Sequence, residues 1–237
     1  MNRVKIFLLK YMQSKGLKIV RIHSDQQRNI YEAIFAKYAA NTMLPQDIYT
    51  SNLELIEKHI KNIDGDILEC GVWKGGMIAG IADLLKGDRT YFLFDSFEGL
   101  PPVKEIDGCS AKRWQENSSG ADYHDNCSAP VDDAEQVMKQ TNCTYKIIKG
   151  WFNETLPKFE ATQKIALLRL DGDWYDSTLI CLQHLYPKLS ENGLLIIDDY
   201  YEWDGCSRAV HDYLSEIKSS SRIKTYKGIC YIIKKEK

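Results

Sequence analysis

The chain has 237 residues, 44% of them hydrophobic, with 31 Lys and Arg against 33 Asp and Glu. That length suits one large α/β domain with a substantial core, and the near-neutral balance argues against nucleic acid or an anionic membrane as the main partner. The 7 cysteines form no CxxC pair and no Cys/His zinc spacing, which fits a reduced, cytoplasmic protein.

In chain order, residues 1–20 interleave Arg3, Lys5, Lys10, Lys15 and Lys18 with apolar residues. The stretch is too short and too often charged for stable insertion in a bilayer, and it has no cleavage pattern. It reads as a segment packed on the domain or on a second subunit, with contact to a membrane surface as the alternative. Helical spacing follows over Asp25–Ala40 and Ile48–Ile60, so residues 1–62 read as an N-terminal helical cap and oligomerisation segment, with a homo-oligomer expected. The main α/β domain is expected over 63–237.

Asp66–Gly71 reads as a strand entering a glycine turn, Met77–Leu85 as the helix leaving it, and Thr90–Phe94 as the next strand. Residues 96–130 are rich in Pro, Gly, Ser, Asn and Asp, and a loop of that length is a functional lid or a disordered insert. Helix Val131–Lys139 and strands Tyr145–Lys149 and Ile165–Leu170 come next. Helix Ser177–Leu189, strand Gly193–Ile197 and helix Cys206–Ile217 follow, and Ile223–Tyr226 and Ile229–Ile233 flank a tight turn at Lys227-Gly228. This alternation predicts an α/β fold, a doubly wound, mostly parallel seven-stranded Rossmann-like sheet with a terminal antiparallel hairpin.

Two acidic clusters carry the chemistry. Asp171 and Asp173 follow the run Ile165–Leu170, and Asp198-Asp199 follow Leu194–Ile197. Carboxylates at the carboxyl ends of parallel strands lie where open α/β sheets bind ligands. Gathered at one edge they repel each other unless a cation joins them, and an all-oxygen set suits Mg2+, Mn2+ or Ca2+. The plainer alternatives are an Asp-Gly turn cap before a helix starting near Asp176, and a strand-end turn at Asp198-Asp199.

The turn Glu69-Cys70-Gly71-Val72-Trp73-Lys74-Gly75-Gly76 lacks the G-x-G-x-x-G of a dinucleotide fold. An acid two residues before its first glycine would repel a pyrophosphate, so the turn suits a cofactor with an amino-acid tail. Asp95, ending the second strand, is placed to accept hydrogen bonds from a ribose. His124, in the long stretch, is an alternative base. The D-x-D pair also fits a metal-dependent phosphatase or sugar-nucleotide transferase. A nicotinamide oxidoreductase and a non-catalytic binding protein remain as further classes.

At these residues the sequence resembles a known family. The turn Glu69–Gly76, Asp95-Ser96-Phe97-Glu98-Gly99-Leu100-Pro101, Gly150-Trp151-Phe152, Leu168-Arg169-Leu170-Asp171-Gly172-Asp173 and Asp198-Asp199-Tyr200 occur in order. Together they look like the macrocin O-methyltransferase family (TylF/MycF type), over about residues 42 to 215. The resemblance implies a class I methyltransferase using S-adenosyl-L-methionine and Mg2+ on a sugar or vicinal-diol hydroxyl of a small molecule or glycan. It implies that Asp171, Asp198 and Asp199 ligate the metal, with Asp173, beside Asp171, as the general base. It also implies that the cofactor is held by Thr42, Met43, Glu69, Gly71, Val72, Trp73, Gly75, Gly76, Asp95, Ser96, Gly150, Trp151, Phe152 and Asp171. Residues 104–130 and those before Asn41 show little of the family's pattern.

Overall fold

The computed structural model of the chain describes residues 25–121, 123–161 and 164–235; the basic stretch at 1–20 lies outside them. The chain divides into compact units of residues 1–30 and 31–237, and the sheet and both of its cores lie in the second.

Two helices come first, α1 (Asp25–Tyr38) and α2 (Gln46–Ile60). The strands are β1 (Asp66–Cys70), β2 (Thr90–Asp95), β3 (Thr144–Lys149), β4 (Ile165–Leu170), β5 (Leu189–Ile197), β6 (Ile223–Tyr226) and β7 (Ile229–Ile233). Between them run α3 (Gly76–Leu85), α4 (Gly108–Glu116), α5 (Val131–Lys139), the short α6 (Phe152–Thr155), α7 (Tyr175–Leu185) and α8 (Asp204–Glu216). The sheet order is β3-β2-β1-β4-β5-β7-β6. Strands β1 to β5 pair in parallel, and β7 is antiparallel to both neighbours. The architecture is the doubly wound sheet with terminal hairpin that the alternation of elements predicts.

Strands β1 and β4 are buried along their whole length, as expected of central parallel strands covered on both faces. Period-2 alternation divides their side chains between two cores. Ile67, Leu167 and Ile196 face a core shared with Tyr49, Leu53 and Ile56 of α2 and Ile78 and Ile81 of α3. Leu68, Leu168 and Ile197 face Leu182 of α7 and Val210 of α8 on the other side. The strand order reverses between β1 and β4, and that switch point opens the crevice in which such sheets bind ligands.

The structure departs from the sequence reading in three places. Strand β5 begins at Leu189, because a register irregularity whose extra residues lie in β5, between Leu189 and Leu194, lets Leu189 pair with Ile165. Helix α7 ends at Leu185, since Pro187 has no N–H to continue the ladder. Residues 96–130 are built rather than structureless: they contain α4 and a web of side-chain bonds. Leu100 N–H donates to Asn126 O at 3.0 Å, and Asn126 Nδ2 returns a bond to Leu100 O at 2.8 Å. Gln115 Oε1 accepts from Val103 N–H at 2.7 Å while its Nε2 donates to Pro101 O at 3.0 Å. Asp107, 2% exposed, accepts from Lys104 N–H and from Tyr175 N–H, each at 2.8 Å, so the segment is pinned to the start of α7.

Candidate active site

The carboxyl ends of β1, β2, β4 and β5 open into one cavity of about 1090 Å3. Thr42, Met43, Glu69, Gly71, Val72, Trp73, Asp95, Ser96, Trp151, Phe152, Asp171, Asp173, Asp198 and Asp199 all line it, as does His124. Gly75, Gly76 and Gly150 do not reach its wall.

Register explains the charged cluster beneath the cavity. Glu69 of β1 sits opposite Arg169 of β4, which sits opposite Ile196 of β5. Two residues on, Asp171 and Asp198 share that face. Arg169 Nη1 donates to Glu69 Oε1 at 2.6 Å and to Asp171 Oδ2 at 2.7 Å, and Nη2 lies 2.5 Å from Asp198 Oδ1. Arg169 and Glu69 are each 1% exposed. Burial opposes the guanidinium charge, but Asp198, Asp171 and Glu69 together more than offset that and raise its pKa. The cation that these acids require is therefore supplied in part by the chain itself. A lone Arg in an otherwise apolar strand was the sequence signal for it, because a buried guanidinium must find counter-ions.

Glu69 Oε2 has no hydrogen-bond partner. Burial pushes the Glu69 carboxyl up to about 8, against the pull of Arg169. An acid-lined pocket with an unsatisfied buried carboxyl oxygen fits the ammonium of an amino-acid tail.

In a second group of acids only Asp171 has that neutraliser. One oxygen each from Asp171, Asp173 and Asp199 lie within 4.8 Å of one another. Asp173 adopts a left-handed backbone (φ 56) that turns it back towards Asp199, whose Oδ2 accepts from Asp173 N–H at 3.0 Å. Trp203 Nε1–H donates to Asp173 Oδ1 at 2.9 Å. Burial, then the charge of Asp171, pushes Asp173 up to about 8. Burial and Asp173 raise Asp199 strongly. Asp198 rises only to about 6, since Arg169 counters its burial. The converging oxygens are those of Asp171, Asp173 and Asp199, with Asp198 turned to Arg169; the set named from sequence has Asp198 where this one has Asp173. An all-carboxylate group of this kind fits a hard divalent cation.

The glycine turn is braced by Asp95. Its Oδ2 accepts from Val72 N–H at 2.8 Å and Trp73 N–H at 2.9 Å, and Oδ1 accepts from Phe97 N–H at 2.7 Å. The glycines also serve close packing within the chain. A Cβ on Gly71 would sit 1.6 Å from Asp171 O, and one on Gly76 would sit 2.4 Å from Asn41 O. Gly71 thereby lets the first turn lie against the main chain of the acidic loop. Trp73 Nε1–H reaches Ser128 O at 3.1 Å, tying the turn to the long segment.

Residues 2–235 match the sequence profile of macrocin O-methyltransferase (TylF). The chain belongs to the macrocin O-methyltransferase family. Within it, demethyldecarbamoylnovobiocin O-methyltransferase of Streptomyces niveus is 34% identical over 172 residues, 69% of this chain and 63% of that protein. The match thus spans a little less than two thirds of that relative's length. Mycinamicin III 3''-O-methyltransferase of Micromonospora griseorubida is 31% identical over 186 residues, 73% of this chain and 70% of the other. Among solved structures, the O-methyltransferase NovP superposes with a TM-score of 0.69 at 28% identity, over 83% of each chain. The calicheamicin methyltransferase CalS11 superposes at 0.62 with 18% identity, covering 90% of this chain and 94% of that one, a likeness of fold.

The family match at residues 2–235 includes the segment from 104 to 130, where the sequence reading found little of the pattern, and there the structure adds one residue that no motif signalled. Trp114 of α4 meets Trp174 and Trp203 at 6.1 Å between ring centroids, and Trp174 meets Trp203 at 5.4 Å. All three line the cavity.

Proposed function

We propose that this chain is an S-adenosylmethionine-dependent O-methyltransferase acting on a hydroxyl of a sugar or other vicinal diol, and that Mg2+ assists it. The observation that carries this reading is the convergence of the glycine turn, Asp95 and the Asp171–Asp173–Asp199 group on one cavity. Family membership supports it. So do relatives named as O-methyltransferases of demethyldecarbamoylnovobiocin and, at a 3'' position, of mycinamicin III.

Methyl transfer requires one acceptor oxygen aimed at one carbon, with its proton removed as the O–C bond forms and the C–S bond breaks. Positioning alone supplies about 7–11 kcal/mol of such a barrier. In this reading the turn at Gly71–Trp73, with Thr42, Met43 and Ser96, holds the donor, and Glu69 faces its ammonium. Trp151 and Phe152 wall the adenine side. Asp173 takes the acceptor proton, with Trp203 fixing one of its oxygens. Asp171, Asp173 and Asp199 would hold the divalent ion, which when bound polarises neighbouring hydroxyls. Asp198 orients Asp171 through Arg169.

The test is incubation with S-adenosylmethionine and a panel of glycosides, read by mass spectrometry for the gain of one methylene unit. Transfer that stops in EDTA and returns with Mg2+ is the expected result. Full activity in EDTA would remove the metal from the scheme, and tight binding of NAD without S-adenosylhomocysteine binding would remove the donor.

A further inference from the structure

Asp171 and Asp198 can be reached by positive charge from two sides. Their side chains are 31% and 17% exposed and line the cavity, while the Arg169 side chain that meets them is 1% exposed. The contacts of that guanidinium are unequal. Arg169 Nη1 hydrogen-bonds both Glu69 Oε1 and Asp171 Oδ2, at 2.6 Å and 2.7 Å. Nη2 lies 2.5 Å from Asp198 Oδ1, yet among the described residues neither it nor Nε has a hydrogen-bond partner. The hold on Asp198 is one of charge, without the two-pronged bonding that makes an Arg–carboxylate pair strong. Of the three acids around the guanidinium, Asp198 is the one most easily released.

Its neighbours make that release consequential. Asp198 adjoins Asp199 in the chain and meets Asp171 around the guanidinium, and both of those belong to the converging group. A divalent ion on Asp171 would share that carboxylate with Arg169, so the two cations would repel at short range. In an all-carboxylate site with no internal cation, metal binding and folding are one process, because the acids repel until an ion joins them. Here a buried guanidinium supplies part of that positive charge beforehand, and an ion has to compete with it.

We propose that Arg169 is a resident counter-ion that hands Asp198 over to the divalent ion. It lets the acid group fold without metal, and its competition keeps the ion weakly held, so that occupancy follows the free Mg2+ around the protein. The inference rests on the metal half of the reading above. Arg169 is a positioning residue in this scheme: it acts on the ion only through the carboxylates it holds or releases.

The experiment titrates Mn2+, read as the free ion by electron paramagnetic resonance, into wild type, Arg169→Gln, Asp198→Asn and the double variant. Melting curves in EDTA and in millimolar Mg2+ accompany it. Arg169→Gln should melt roughly 10 °C below wild type in EDTA and regain most of that gap in Mg2+, to which wild type responds less. Recovery of folded Arg169→Gln only in Mg2+ is the same result in stronger form. Its Mn2+ dissociation constant should fall roughly tenfold, the competing charge being gone. Asp198→Asn should raise the constant roughly tenfold, and on that background Arg169→Gln should tighten Mn2+ less than roughly threefold, since the contested carboxylate is absent. An Asp198→Asn constant equal to wild type sinks the hand-over, whether or not Arg169→Gln folds. Equal tightening on both backgrounds sinks it too, leaving Arg169 a distant charge. Mn2+ affinity unmoved by Arg169→Gln, or a variant unfolded with and without Mg2+, would overturn the counter-ion role. Mn2+ bound by neither wild type nor Arg169→Gln would instead remove the metal from the proposed function, and this inference with it.

Discussion

Two groups of acids share one sheet edge and are treated in opposite ways. Glu69, Asp171 and Asp198 surround the guanidinium of Arg169, which is 1% exposed, and their charge is settled within the fold. Asp173 and Asp199 face each other and Asp171 with only an indole N–H and a backbone N–H to steady them. Asp171 belongs to both. The first group is a scaffold that the chain completes alone, and the second is a set of ligand atoms left for something positive or for a proton.

That contrast can be broken most severely at Arg169. Arg169→Met leaves buried carboxylates without a counter-charge and should cost about 3–5 kcal/mol of stability, read from the denaturant midpoint. A midpoint equal to wild type would mean that the acids do not depend on it. Asp173→Asn should do the reverse. Methyl transfer should fall about 10²–10⁴-fold, the span of general-base catalysis, while thermal stability holds or rises because one mutually repelling carboxylate is gone. A joint loss of stability and activity would erase the distinction between the groups.

Asp95→Ala probes the turn, where one carboxylate serves three backbone N–H groups. S-adenosylhomocysteine affinity should weaken by about 1–3 kcal/mol, the scale of lost charge-assisted bonds and unpaired donors; calorimetry showing no change would remove Asp95 from the site.

The smallest effect concerns pH. Folded Glu69 holds its proton up to about 8, against an ordinary value of 4.5. The folded state thus binds more protons than the unfolded state between these values, and stability contributed by this group is lost as pH rises through that window. Glu69→Gln should flatten that part of the stability–pH curve, and an unchanged slope would show that Glu69 is ionised throughout.

The sheet was readable because its strands are short apolar runs separated by turn residues. β4, β6 and β7 have the limits that periodicity suggests. The cavity wall was readable for a related reason, since residues just beyond parallel strands must gather at one edge. Three features were not. Arg169 was hidden inside a run that reads as apolar, and its meaning depends on cross-strand register. The approach of Asp173 to Asp171 and Asp199 follows a left-handed turn at Asp173 that spacing does not disclose. Helix α4 is held by tertiary bonds from Asp107, Gln115 and Asn126, and its short helix-forming run Ala111–Glu116 was masked by the turn-rich residues on either side.

The feet of that helical excursion, Leu100 and Asn126, are stitched to each other by two hydrogen bonds, at 3.0 Å and 2.8 Å. Everything between them leaves and rejoins the body through one narrow neck. The excursion is therefore a cassette: a grafted replacement that retains the neck, together with Asp107 and Gln115, can present a different surface in place of Trp114 without disturbing a single sheet pairing. On the methyl-transfer reading, diversifying such a cassette would change the surface that meets an acceptor while the sheet edge stays as it is.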